Sequence, residues 1–223
     1  KRIEDCLISD LHFQYPTHVR GVPVKDPSDK QISTGVNRTV ISGNNNKIRN
    51  ISLAHSSSGG LNFSGSNNLI KNCLVRDVNW SGTLHYSGIL LKGEDNILKN
   101  NTTVNFGYSG IWAPSRSSIV EYNHIYKGGI LASDVSLLYS AKEVEGAEFR
   151  YNWVHDNLSS TYHGLNQGIR GDGGTRQLYI HHNVVWNCGQ GIVFFGDKNR
   201  VYNNTVFGVR NKGIFIRTGD KST

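Results

Sequence analysis

Short alternating bursts of apolar residues, separated by polar and glycine turns, run the length of the chain. No stretch sustains the 3.6-residue apolar period of a helix. One burst recurs in a fixed frame: an aliphatic residue, polar ones, an Asn, then a β-branched run. It reads Ile48-Arg49-Asn50-Ile51-Ser52-Leu53, Ile70-Lys71-Asn72-Cys73-Leu74-Val75, Val120-Glu121-Tyr122-Asn123-His124-Ile125 and Phe149-Arg150-Tyr151-Asn152-Trp153-Val154. Further copies surround Asn101, Asn183 and Asn204. Matched in this way, Asn50, Asn72, Asn101, Asn123, Asn152, Asn183 and Asn204 are spaced by 22, 29, 22, 29, 31 and 21 residues. The basic unit is therefore 21 or 22 residues, and three copies carry 7 to 10 more. Asp5-Cys6-Leu7-Ile8 reads as an earlier copy. The 45 residues from Asp5 to Asn50 hold either a degenerate unit or a long loop.

A second column follows each Asn: Gly88-Ile89-Leu90-Leu91, Gly110-Ile111-Trp112-Ala113, Ser136-Leu137-Leu138-Tyr139, Gly168-Ile169-Arg170-Gly171, Gly191-Ile192-Val193-Phe194 and Gly213-Ile214-Phe215-Ile216. Each unit thus holds at least two short strands. Strands in such constant register imply coils stacked in parallel, about 4.8 Å apart. An Asn at each bend can bond the Asn of the next coil and tolerate the unusual backbone there. The expectation is an all-β solenoid of about seven to nine coils, one domain over residues 1–223. Over nearly its whole length the pattern resembles the right-handed parallel β-helix of the pectate-lyase-like superfamily. Leucine-rich repeats have a similar period, but their leucine signature is missing.

Composition narrows the setting. The net charge is +7, and no apolar run approaches a membrane span. The basic residues are scattered, which argues against nucleic acid as a partner. The charge mildly favours an acidic substrate by steering. Methionine is absent and no secretory leader opens the chain, so a mature product or an excised piece is expected. The last residues show no capping helix. A longer native chain, or a partner over the end, is the expectation, and the protein is read as a monomer or as associating through uncapped coil ends. Three cysteines are too few for a disulfide scaffold. Cys6 and Cys73 read as one column with a coil between them, at least ~9.6 Å apart at about 4.8 Å per coil. That exceeds disulfide reach, and buried free thiols are expected.

Chemistry in a solenoid belongs on its outer faces and inserted loops. The long units place insertions near Asn79–Ser87, Ser140–Gly146 and Asn157–Asn166, carrying Trp80, His85, Lys142, Glu143, Glu145, Tyr162 and His163. With each Gly-Ile isoleucine inward, Leu90, Trp112, Leu138, Arg170, Val193 and Phe215 point outward. Tyr86, Tyr108, Asp134, Asn166, Gly189 and Asn211 form a flanking column. Rings at Tyr86, Tyr108, Trp112 and Tyr139, with His163 and Asn166, are candidates for binding sugars by stacking and hydrogen bonds. Asp134, Glu143, Glu145, Asp156 and Asp172 cluster in the central coils. Glycoside hydrolysis needs one protonated and one ionised carboxyl.

The segment Asp134 to Ser140, then Tyr151-Asn152-Trp153-Val154-His155-Asp156, then Gly168-Ile169-Arg170-Gly171-Asp172 resembles β-helix glycoside hydrolases of family 141. That resemblance implies a catalytic pair Asp134 and Asp172, supported by Tyr139 and His155. In the register above the two aspartates lie six positions apart, roughly 20 Å along a straight strand. The pair therefore requires a bend, or Glu143 or Glu145 as substitute partner. The rival is β-elimination on a uronate polymer. Arg170, Lys142, His163 or Tyr162 would be its base, and Asp134, Glu143 and Glu145 would hold Ca²⁺. A non-catalytic adhesin is the third reading. Hydrolysis needs no cofactor or metal, and a polymer substrate implies a secreted or periplasmic protein.

Overall fold

The computed structural model describes residues 2–16, 39–82, 86–142, 144–159 and 165–217. Among these, every regular element is a strand, and the strands form three parallel sheets, one of ten strands and two of eight. Each coil contributes one strand to each sheet in turn, the fifth coil two to the ten-stranded one. The result is a right-handed parallel β-helix. The described residues form eight three-strand coils, numbered here from the N-terminus, and Lys212–Arg217 opens a ninth. Three strands per coil, where sequence reading gave at least two, follow from two separate corners that each cost only a residue or two of left-handed backbone.

Those corners explain the asparagines. Left-handed φ is costly for most side chains but mild for Asn and Asp. One column of such residues runs Asp10, Asn50, Asn72, Asn100, Tyr122, Tyr151, His182 and Asn203, at φ from 51° to 60°. It turns the chain from the first eight-stranded sheet into the second. Directly after it, pointing inward, stands the ladder of buried Asn101, Asn123, Asn152 and Asn183 and half-buried Asn204. From Asn123 onward, each Oδ1 accepts from the side chain of the previous Asn, as Asn123 Nδ2 to Asn152 Oδ1 at 3.0 Å, and from its backbone N–H. Asn50 and Asn72 therefore belong to the left-handed column, one residue away from the ladder to which the repeat frame assigns them. Their inward neighbours are Ile51 and Cys73, and the ladder ends where the Cys73 N–H donates to Asn101. A second inward ladder, Asn46–Asn68–Asn96 closed by Ser118, occupies the corner between the ten-stranded and first eight-stranded sheets.

Coil 1 pairs directly with coil 2, Ile8 beside Ile48 and Phe13 beside Leu53, so no degenerate coil lies between them. Asp5-Cys6 matches Asn45-Asn46, whereas Asp10-Leu11 is the copy of Asn50-Ile51. Cys6 and Cys73 hence stand at different corners. All three cysteines are free, Cys73 and Cys188 buried and Cys6 exposed. Burial pushes the Cys188 thiol up to about 12 and Cys73 up to about 11.

The core is a set of axial stacks: Ile48, Ile70, Leu98, Val120, Phe149 and Ile180 from the first eight-stranded sheet face the inward residues of the others. The glycine of each Gly-Ile pair has a packing reason. A Cβ on Gly110 would come within 2.5 Å of Ile125 Cγ2 and 2.7 Å of Phe106 Cζ. That column stands where the second eight-stranded sheet presses its branched side chains against the ten-stranded one.

Candidate functional site

The outer face of the ten-stranded sheet carries an axial row fixed by strand register: Leu90, Trp112, Tyr139, Arg170, Val193 and Phe215. Tyr139 stands where the sequence frame places Leu138. In coil 6 the glycine before the inward aliphatic residue is replaced by Leu137, so two adjacent leucines offer two registers. The structure pairs Leu138 with Ile169. A one-residue slip exchanges faces, and it sets Tyr139 beside Arg170.

Arg170 organises this face. Its Nη1 bonds Asp134 Oδ1 at 2.7 Å and its Nη2 bonds Asp172 Oδ2 at 2.9 Å. Tyr139 Oη donates to the same Asp172 oxygen at 2.9 Å. The guanidinium lies 5.4 Å from the Phe195 ring centre and 5.9 Å from that of Tyr139. Two bonds and one guanidinium width cap the separation of the bonded carboxylate oxygens at about 8 Å. Asp134 and Asp172 are thus brought together across the span that strand geometry denies them. The bend before Val135 and the reach of the Arg170 side chain make up the difference.

The electrostatics are uneven. Burial alone would raise Asp172, but Arg170, the Gly173 amide and the Tyr139 hydroxyl outweigh it and hold its pKa below the carboxylate norm. Burial, then the Asp172 charge, pushes the Tyr139 hydroxyl far upward, so it keeps its proton. Asp134 is the more open carboxyl, with 52% of its side chain exposed against 29% for Asp172. Gln167 joins the cluster unannounced by the sequence frame, accepting from Ser136 Oγ at 2.7 Å and Arg170 Nη1 at 3.4 Å.

Other sequence candidates go elsewhere. Tyr86 and Tyr108 are buried at 3% and 6% exposure, so neither offers a ring face to a sugar. Tyr108 packs on Ala132 and Val135. Asn166 is buried too, accepting from the Gly189 N–H and donating towards Ser159 O. Inward packing wins because these residues edge the crowded corner between sheets. Glu145 lies at the opposite margin of the ten-stranded sheet, paired with Arg116 at 3.0 Å. His155 belongs to the second eight-stranded sheet, stacked on Trp186 at 3.9 Å and bonded to His124. It therefore does not support Asp172. Trp112 remains on the outer row, half-buried under Lys92. Tyr162, His163, His85 and Glu143 lie outside the described residues. The calcium set read from sequence is not assembled among the described residues, since Glu145 bonds Arg116 and Asp134 bonds Arg170.

The described ends of two inserted segments, 79–82 with Tyr86 and 158–159 with Leu165, lie between the second eight-stranded and ten-stranded sheets, as do residues 129–134, which deliver Asp134.

The family described as right-handed β-helix region matches residues 29–163 and 84–223. The chain belongs to the right-handed β-helix family. Among solved structures this β-helix is similar to an alginate lyase from Paenibacillus sp. str. FPU-7, at 11% identity and TM-score 0.41, over 96% of this chain and 99% of that one. It is also similar to the Streptococcus pneumoniae surface protein and adhesin PfbA, at 12% identity and TM-score 0.40, over 95% and 77%. No curated protein sequence matches the chain. The catalytic reading of the β-helix therefore rests on its own residues.

Proposed function

We propose that this β-helix is a secreted or periplasmic carbohydrate-active protein that hydrolyses glycosidic bonds on the outer face of its ten-stranded sheet. The observation that carries the reading is the pair Asp134 and Asp172 on one guanidinium, with the bonded oxygens no more than about 8 Å apart, a bound that admits the carboxyl separations used by glycosidases. Asp172, held ionised, takes the role of base or nucleophile. Asp134, the more exposed carboxyl with a single bond to Arg170, takes the role of proton donor once the substrate displaces Arg170 and a proton from solvent replaces that bond. In the inverting form of the reaction, Asp134 gives its proton to the leaving glycosidic oxygen as the C–O bond breaks. Water attacks the sugar carbon, and Asp172 removes its proton. Trp112 and Phe195 supply the apolar surface beside the reacting groups.

The Tyr139 proton favours β-elimination as a second reading, since a tyrosine that keeps its proton can hand it to a leaving oxygen. It ranks second because the Arg170 charge that would neutralise a uronate is already shared by two carboxylates. Incubation with neutral and uronic polysaccharides separates the two. Hydrolysis predicts new reducing ends without the ultraviolet absorbance of an unsaturated product, lost in Asp134→Asn and Asp172→Asn. Rising absorbance that survives in Asp134→Asn overturns hydrolysis in favour of elimination. No cleavage of any polymer overturns both.

A further inference from the structure

The corner between the two eight-stranded sheets, away from the Arg170 face, carries a continuous groove that nothing in the hydrolysis reading uses. Its first part, about 400 Å³, is lined by Arg49, Asn50, Lys71, Asn72, Lys99 and Asn100. Its second part, about 490 Å³, begins at the same Asn100 and continues past Tyr122, His124, Tyr151, Trp153 and His182. Among the described residues, no carboxylate lines either part. Register fixes Arg49, Lys71 and Lys99 as neighbours on successive coils, one cation per rung of about 4.8 Å. Glu121 follows Lys99 on the next rung, where Lys99 and Arg150 neutralise it. Asp10 flanks the far end, bonded by Asn50.

The corner column changes character along the axis. Coils 2 to 4 have Asn there, the residue best suited to left-handed backbone. Coils 5 to 7 have Tyr122, Tyr151 and His182 at φ near 54°, a conformation less favourable for such residues than for Asn. Tyr122 and Tyr151 stack at 5.0 Å, and Tyr151 and His182 do the same. Trp153 stands across from them, edge-on to His124 at 86° and 58% exposed.

We infer that this groove binds a linear polyuronate lying parallel to the solenoid axis, its carboxylates on Arg49 and Lys71, with Lys99 shared between Glu121 and the polymer, and its rings against Tyr122 and Trp153. The length from Arg49 to His182 is about 24 Å at about 4.8 Å per coil, room for roughly five or six sugars. Successive pyranose rings advance by about one coil each, and the carboxylates that face the corner meet its cations. The amides of Asn50, Asn72 and Asn100 add hydroxyl partners between the cations. Nucleic acid fits less well. Its strand charges in a duplex recur about every 3.4 Å, out of step with the rungs. The Tyr122–Tyr151–His182 stack is also closed against a base entering between rings. The inference rests on the carbohydrate reading for the polymer class, but not on the cleavage site.

Calorimetric titration of the full chain carrying Asp172→Asn, with an oligogalacturonate of about six sugars, tests it. Binding should weaken with added salt, fall at least tenfold in Lys71→Glu and in Trp153→Ala, and fall in Tyr122→Asn. The last variant installs the residue that coils 2 to 4 already use, so its melting temperature should stay near that of the parent. Equal affinity in Lys71→Glu and the parent overturns the inference. So does equal binding of the carboxyl-reduced oligosaccharide, or tighter binding of a single-stranded oligonucleotide. Binding with these losses but no cleavage by the wild type refutes hydrolysis and leaves the groove standing. Cleavage without binding at the corner refutes the groove alone.

Discussion

Two asparagines one position apart do different work in this solenoid. Asn152 is wholly buried, and its Oδ1 takes both the side-chain and backbone donors of Asn123. Asn50 is exposed and turns the backbone. Asn152→Ala should cost about 3 kcal/mol, because it strands buried donors. Asn50→Ala should cost about 1 kcal/mol, the penalty of left-handed backbone. Urea midpoints measure both, and equal losses would contradict the assigned column. At Arg170 the prediction is one of pH. Asp172 has a folded pKa below its unfolded value of about 3.9. Its stabilisation is present above about pH 4 and is lost as pH falls through the folded value. Arg170→Met removes the largest influence that lowers Asp172, so its pKa rises relative to wild type and its stabilisation shrinks. The variant should therefore be less stable than wild type at neutral pH, with the gap narrowing on acidification. Thermal melts across that range follow it directly.

Among the elements, the Gly-Ile strands show how little room the inter-sheet corner leaves. Gly110→Ala puts a methyl into Ile125 and Phe106 and should destabilise by about 2 kcal/mol. A Cβ on Gly173 meets nothing within 4 Å, so Gly173→Ala should leave the melting temperature unchanged. The glycines were legible in the sequence as a column, and so were the inward isoleucines. Coil 6 was not, because Leu137 fills the glycine slot and a strand pattern of period two cannot choose between adjacent leucines. That one slip hid the neighbourhood of Tyr139 and Arg170. The second asparagine ladder was hidden for a related reason: Asn46, Asn68 and Asn96 follow other polar residues in turns where any polar residue looks at home.

For the whole molecule, each coil rests only on its neighbours, so stability is distributed along the axis. The inward residues of coils 4 to 7 are fully buried, while Ile8 and Phe13 of coil 1 are only partly so, and Ile214 and Ile216 are 48% and 58% exposed. Backbone amides of coils 4 to 7 should exchange with deuterium last, and those of coil 1 and Lys212–Arg217 first. Uniform protection along the axis would contradict a nearest-neighbour solenoid.

The sequence by itself determined the β-helix, since repeat period, alternation and corner asparagines are local and recur in every coil. It also placed Trp112 and Arg170 on one outer face, because side-chain direction follows from strand parity. Only the tertiary structure decided that Asp134 curls over the sheet to meet Arg170, that Tyr86 and Tyr108 pack inward, and that His155 faces another sheet. These depend on how inserted residues bend at corners. The cation row and the aromatic corner came from the same source: their members are more than twenty residues apart in the chain, and stacking of the coils makes them neighbours.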